Sequence, residues 1–296
     1  MAYYRGPGPE GSPLQRSSGR IQRLVASLPQ RYVFKSLIGK GSAAYVILAD
    51  DRQLNSPVAV KILRPEVATV VGEKRFKREV EILSTLEHPN ILRLLDHGTL
   101  DQQGLFLVTP FVNGETLRAR VRREKQLPVT TTVSIINQIG SALDYAHGRG
   151  VIHRDIKPAN ILLPEGSVIV ADFGISRAIA TDLSPQITVS GVSVGTPEYM
   201  SPEQIGAVTN LDARSDIYSL GCVAYEMLTG KPPFTGRSYV EVFAKTRHDS
   251  PRPVSQIRPD LPASANAAIL KSLAKERTER FPSAGEFAQA FASGVK

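Results

Sequence analysis

The apolar positions along this chain change their period near residue 113. From residue 31 they come in short alternating runs, "RYVFKSLIGK", "AYVILAD" and "PVAVKIL", separated by turn-rich pieces such as "DRQLNSP". Runs of this kind predict strands. "GEKRFKREVEILSTLEHPN" then switches to helical spacing, with Phe76, Val80, Leu83 and Leu86 on one face and His88-Pro89-Asn90 as the stop. Two more predicted strands follow, "NILRLLDHGTL" and "LFLVTPF", joined by "DQQG". About five strands and one helix in roughly 80 residues make a small α+β unit.

After "VNGE" the pattern is mainly helical. "TTTVSIINQIGSALDYAHGRG" predicts a long helix closed by glycines, and helices are expected near 214–229, 237–247, 263–276 and 284–292. No internal repeat is visible. The expected architecture is a strand-rich lobe, a short hinge near 110–114 and a larger helical lobe. A cleft between two lobes is a usual place for a ligand.

Composition narrows this picture. The chain has 296 residues, 42% hydrophobic and 22% charged, in the ordinary globular range. Cys222 is the only cysteine, which excludes an internal disulfide and a cysteine-based zinc site. No stretch approaches the ~18 apolar residues of a membrane span. The start, "MAYYRGPGPEGSP", lacks the apolar core of a signal peptide. A cytoplasmic location is expected, or a membrane-anchored one if the chain is part of a longer protein.

The net charge is +8, with a pI near 9.6, which raises the question of nucleic acid. The distribution argues otherwise. Arg5, Arg16, Arg20, Arg23 and Arg31 stand against Glu10 alone, so residues 1–31 carry +4. The rest of the chain shares the other half among mixed charges. Trp is absent, and the tail offers only Tyr3 and Tyr4. Residues 1–30 are therefore expected to be a disordered basic tail, with "IQRLVASLPQ" as a short helix leading into the fold. No nucleic-acid partner is expected.

Several polar groups stand where burial would make them costly. "IGKGSAAYV" carries Gly39 and Gly41 ahead of a strand, so they lie in a hairpin and not before the helix of a dinucleotide site. The hairpin is either a plain tight turn or a lid of backbone N–H groups for phosphate. Lys61 sits inside the apolar "VAVKIL", either at an exposed edge or buried with a partner. Glu79 borders the apolar face of the following helix and could be that partner. Within "VIHRDIKPANILLPEGSVIVADFGIS", Asp155 could accept a hydroxyl proton and Lys157 could neutralise phosphate charge. Asn160 and Asp172 offer hard oxygen ligands suited to Mg²⁺. Taken singly, each would more often be structural. In this order and company they match a phosphotransfer set.

"IGKGSAAYV", "VAVKIL", "KREVEIL", "HRDIKPANILL", "ADFGIS", "GTPEYMSPEQ" and "SDIYSLGCVAYEMLTGKPPF" together resemble the eukaryotic-like Ser/Thr protein kinases, bacterial branch, from about Arg31 to Ala292. The resemblance implies a two-lobed α+β kinase fold over 31–294, with the N-lobe at 31–112, the C-lobe at 113–294 and ATP in the cleft. It implies that Lys61 meets the α- and β-phosphates and pairs with Glu79, that Asp155 is the catalytic base and that Lys157 meets the γ-phosphate. Asn160 and Asp172 would hold Mg²⁺. Ile38, Val46, Ala59 and Leu162 would enclose adenine, with Gly39 and Gly41 over the phosphates. Thr109 would guard the pocket, and the backbone of Pro110 and Val112 would meet the adenine edge. Leu83, His153 and Phe173 would stack, Glu203 would pair with Arg280, and Asp216 would brace the catalytic loop. Protein substrates are implied, with Thr196 marking a Ser/Thr enzyme. Arg154 beside Asp155 implies an activation segment ordered by phosphate, with Thr188 and Ser190 as the modified pair and a transient homodimer for modification in trans.

Four departures stand out. Ala44 replaces the third glycine of the hairpin, Ser201 replaces alanine before Pro202-Glu203, Tyr218 takes a tryptophan position, and Pro110 removes one N–H from the hinge, where the family needs a carbonyl. None removes a group that the chemistry uses. A scaffold that had lost catalysis would lack Lys, Asp or Asn at the sites above, and all are present.

Overall fold

The computed structural model describes residues 19–100, 104–173 and 196–295. The chain opens with α1 (Gly19–Ala26), then β1 (Tyr32–Lys40), β2 (Ala44–Asp51), β3 (Ser56–Leu63), α2 (Pro65–Val71) and α3 (Glu73–Ser84). β4 (Asp96–Leu100) and β5 (Gly104–Pro110) complete an antiparallel sheet in the order β1-β2-β3-β5-β4. The second lobe begins with β6 (Glu115–Thr116), α4 (Leu117–Glu124) and α5 (Val129–His147). A 3-10 turn at Pro158–Asn160 leads into β7 (Ile161–Leu163) and β8 (Ile169–Val170), which make a small sheet with β6. Then come α6 (Pro202–Ile205), α7 (Arg214–Thr229), α8 (Tyr239–His248), α9 (Ala263–Ser272) and α10 (Ala284–Ala292).

The two faces of the first sheet are covered separately. One face packs Tyr45, Ile47, Val58 and Val60 beneath Ile21, Leu24 and Leu28 of the N-terminal segment. The other packs Ala44, Leu63 and Leu107 against α2 and α3 through Val67, Phe76 and Val80. The expectation of a disordered tail through residue 30 is thus corrected from residue 19 onward. Leucine and isoleucine spaced along "IQRLVASL" close an otherwise bare apolar face, each worth about 2 kcal/mol when buried. Arg31 then anchors the chain with a two-pronged ion pair to Asp51, 2.8 and 2.7 Å.

In the larger lobe, α7 is the central rod, buried from Ser215 to Tyr225. Gly221 lets α9 approach, because a Cβ there would lie 2.1 Å from Ser272 Oγ. No helix among the described residues is long and apolar enough to cross a membrane.

Two expected elements came out shorter. The strand read at 90–100 begins only at Asp96, because residues 90–92 bond to the other lobe. Val170 N donates to the Asn90 carbonyl and Leu92 N to the Val170 carbonyl. The helix read at 263–276 stops at Ser272, since the Arg280 guanidinium takes the carbonyls of Ala274 and Lys275 at 2.9 and 3.0 Å.

Candidate active site

The catalytic loop is built around a buried acid on α7. Asp216 is fully buried and accepts hydrogen bonds from His153 N at 2.8 Å and Arg154 N at 2.7 Å, and it meets His147 Nε2 at 2.7 Å. Burial alone would raise its pKa. The His147 bond and the nearby donors outweigh that and hold Asp216 below the usual carboxylate range. Arg154 adopts a left-handed backbone, φ 67°, which costs a non-glycine residue about 1 kcal/mol or more. Asp216 fixes its N–H, and the Gln204 side chain donates to its carbonyl at 2.8 Å.

That loop delivers Asp155 to the surface of the cleft. Lys157 Nζ spans both Asp155 carboxylate oxygens at 2.8 and 2.7 Å. Asn160 Nδ2 donates to the Asp155 carbonyl at 2.8 Å and its carboxylate at 3.0 Å. The amide's NH₂ is thereby used inward, which leaves the side-chain oxygen Oδ1 as the atom that could ligate a cation. The His153 ring bridges two backbone groups: Nδ1 accepts from Asp155 N at 3.2 Å, and Nε2 donates to the Ala171 carbonyl at 2.9 Å. Its ring meets Phe173 edge to face, with centroids 4.5 Å apart.

Across the cleft, Lys61 on β3 is buried and its ammonium lies 2.7 Å from Asp172 Oδ1. Asp172 is the second left-handed residue of the site, φ 66°. Lys61, Leu83, Thr109, Asp172 and Phe173 line a cavity of about 40 Å³ between the lobes. Glu79 is buried on α3 with Phe76 and Val80.

Beside this charged pair lies a packed apolar cluster drawn from both lobes. Val46 and Ala59 from the first sheet meet Leu162 and Ala171 from the second lobe, with Ile38, Leu92 and Val112 at the edge. Val46 pairs with Gly39 in the β1–β2 register, and Gly41 N closes the hairpin on the Ala44 carbonyl at 2.9 Å. Pro110 ends β5 opposite Val58, where its missing N–H breaks no ladder bond. Asn160 and Asp172 sit beside this cluster, on a stretch where Ala171 N donates to the Asn160 backbone carbonyl at 2.8 Å.

Among the described residues no group of three or more His, Cys, Asp or Glu could hold a metal alone. Mg²⁺ takes one or two protein oxygens and fills its shell with water and phosphate. One amide oxygen and one carboxylate suit that donor set.

Below the site, Glu203 forms a two-pronged pair with the buried Arg280, 2.6 and 2.8 Å, and accepts from Ser215 at 2.6 Å. Burial would raise the Glu203 pKa, but these donors pull it down. The departures find structural reasons here. Ser201 caps α6 in a reciprocal box with Gln204, and the Tyr218 ring lies 4.9 Å under the Arg280 guanidinium. Ala44 is fully buried and packs its methyl with Leu63 and Val67.

Sequence reasoning missed His147 and Gln204. His147 ends a long helix whose periodicity says nothing of a partner 69 positions away. Gln204 carries the signal S-x-x-Q of a capping box, yet nothing in it points to Arg154. Thr188 and Ser190 lie outside the described residues.

Two lobes, a glycine-bearing hairpin, a lysine–aspartate pair across the cleft and a braced Asp-Lys-Asn loop together have the form of a nucleotide-dependent phosphotransferase. The protein kinase domain family matches residues 32–290, and the chain belongs to that family, in its bacterial Ser/Thr branch. It is similar to the serine/threonine-protein kinase PknB of Mycobacterium leprae, 39% identical over 88% of this chain and 42% of that protein. The probable PknB of Bifidobacterium longum is 40% identical over 87% and 38%. The chain thus spans about two fifths of these curated relatives. Among solved structures, the Mycobacterium tuberculosis PknI kinase domain aligns with TM-score 0.72 and 30% identity over 90% of this chain and 97% of that one. Rad53 in complex with AMP-PNP aligns with TM-score 0.72 and 26% identity over 88% and 66%. Family membership implies ATP and protein substrates.

Proposed function

We propose that this protein moves the γ-phosphoryl group of ATP to serine or threonine hydroxyls of other proteins, with Asp155 orienting the hydroxyl and accepting its proton. The observation that carries this reading is the Asp155 carboxylate held by Lys157 and Asn160 on the loop that Asp216 braces. Ile38, Val46, Ala59 and Leu162 enclose adenine, and the backbone of Pro110 and Val112 meets its edge. Gly39 and Gly41 lie over the phosphates. Lys61 holds the α- and β-phosphates, with Glu79 as its partner once nucleotide draws the ammonium from Asp172. Asn160 and Asp172 would hold Mg²⁺, which would neutralise phosphate charge. Lys157 steadies the γ-phosphoryl group.

Thr196 opens the "TPEY" stretch that carries the Ser/Thr preference, and the relatives' names agree with it. Thr188 and Ser190 take phosphate from a second copy in a transient homodimer, and Arg154 receives it through charge-assisted bonds. A cytoplasmic setting supplies ATP and suits the free Cys222. Incubation with ATP·Mg²⁺ and a generic protein acceptor, followed by intact mass, tests the reading. Phosphate on serine or threonine, absent from an Asp155→Asn variant, is expected. Equal phosphate from the variant overturns the assignment.

A further inference from the structure

The helix beside the catalytic loop carries more positive charge than the family chemistry uses. α4 and its flanks read "ETLRARVRREK", five basic residues against two acids. Leu117 and Val121 point inward and are buried, so Arg118 and Arg122, one position further and one turn apart, share an exposed face. The neighbouring arginines are occupied. Arg120 pairs with Glu124 at 3.2 Å, and Arg123 pairs with Glu115 and Glu124. Arg118 and Arg122 make no ion pair with any described residue.

Their place matters. β6 runs directly into α4, and Thr116 pairs with Leu162, two residues after Asn160. α4 therefore packs on the Pro158–Asn160 turn of the catalytic loop. The charges of both arginines are felt at Glu226, and that of Arg118 at Tyr199, three residues beyond Thr196. The acids on this side are engaged or buried. Glu226 accepts from Tyr199 Oη at 2.5 Å, and burial pushes its pKa up. One Glu198 oxygen, Oε2, is buried without a hydrogen-bond partner. The charges left facing solvent are the Arg118 and Arg122 guanidinium groups, with the Lys125 ammonium at the end of the helix.

We propose that Arg118 and Arg122 select the substrate: the segment phosphorylated by this protein carries Asp or Glu beside its acceptor hydroxyl. This rests on the kinase reading above and deepens it. Arginine suits the task because its planar fork binds carboxylate through two parallel bonds.

The test uses threonine peptides in a neutral background with Glu, Gln or Lys at each flanking position. Turnover is measured as kcat/KM, and binding of the fluorescent Glu peptide by anisotropy. The wild-type protein should favour Glu over Gln by about five- to ten-fold at one or more positions, as two exposed charge pairs allow. Raised salt should shrink the ratio. The Arg118→Ala/Arg122→Ala variant should bring it near one, mostly through KM, and Arg118→Glu/Arg122→Glu should favour Lys. Arg52→Ala, an exposed arginine on the other lobe, should leave the ratio unchanged. Equal use of Glu and Gln, a wild-type preference for Lys through Glu198 and Glu226, or a ratio that survives Arg118→Ala/Arg122→Ala overturns the proposal. If no peptide is turned over, the kinase reading fails. The anisotropy still decides the inference: Glu-peptide binding lost in the double variant supports it, and binding unchanged or absent refutes it.

Discussion

On the catalytic-loop side of the cleft, one buried carboxylate on α7 gathers His147, His153 N and Arg154 N within 2.8 Å. On the lysine side, Lys61 reaches across to Asp172 beside a cavity of about 40 Å³. The first arrangement lies within one lobe, with its acid wholly buried. The second spans two lobes and leaves space around the charges. The difference teaches which half is preset. On the proposed mechanism Asp155 is aimed before substrate arrives, whereas Lys61, which rests on Asp172, takes its working geometry from nucleotide. Electrostatic preorganisation of this kind lowers the cost of reorganising at the moment of transfer.

Removing the aimed group should produce the largest effect. Asp155→Asn is expected to lower phosphoryl transfer by about 10³-fold, as for loss of a general base. Nucleotide affinity, read by calorimetry, should stay within about two-fold. A loss of affinity as large as the loss of rate would mean that the two sides are not independent.

The brace comes next. Asp216→Ala leaves two backbone N–H groups unsatisfied and should cost about 3 kcal/mol in denaturant unfolding. On the lysine side, Lys61→Met with Asp172→Asn removes both charges together, so stability should change by under about 1 kcal/mol while transfer is lost. Equal destabilisation by the two sets would erase the contrast. The brace should also respond to acid. Asp216 and Glu203 have folded pKa values below their unfolded ones, so their stabilisation is present above the ordinary carboxylate range. It is lost as pH falls through that range and below. Asp216→Asn should flatten that acid limb.

How much of this was legible depended on what each feature advertises. α5, α7 and α10 carried long apolar periods, and the predicted spans 214–229 and 284–292 match Arg214–Thr229 and Ala284–Ala292. α2 was invisible because "PEVATVV" is β-branched and short, so only Pro65 at its first position marks a helix start. α4 has just Leu117 and Val121 to face the core, too few to show a period. Lys61, Asp155, Lys157, Asn160 and Asp172 stood out in the sequence because such polar residues are costly beside apolar runs. The links between them did not. Gln204 reaches Arg154 across 50 positions and His147 reaches Asp216 across 69, and such distances leave no local signature.

Smaller effects sharpen the same contrast. Thr188→Ala with Ser190→Ala should lower activity on an added substrate about ten-fold, ~1.4 kcal/mol, with ATP binding kept. Peptide mass mapping of a fully active enzyme that finds neither residue modified would refute it. Ala44→Gly should alter apparent ATP affinity by no more than a few-fold. It should also cost about 1 kcal/mol of stability, because the buried methyl is lost and glycine is freer when unfolded.

The claim that one half is preset is tested most directly by backbone hydrogen exchange with and without ATP·Mg²⁺. The His153 and Arg154 amides donate to Asp216, so their protection should be high and unchanged by nucleotide. Amides of β3 and α3, around Lys61 and Glu79, should gain protection when nucleotide binds. The reverse pattern, a catalytic loop that becomes protected only with nucleotide while β3 and α3 stay unchanged, would contradict the account.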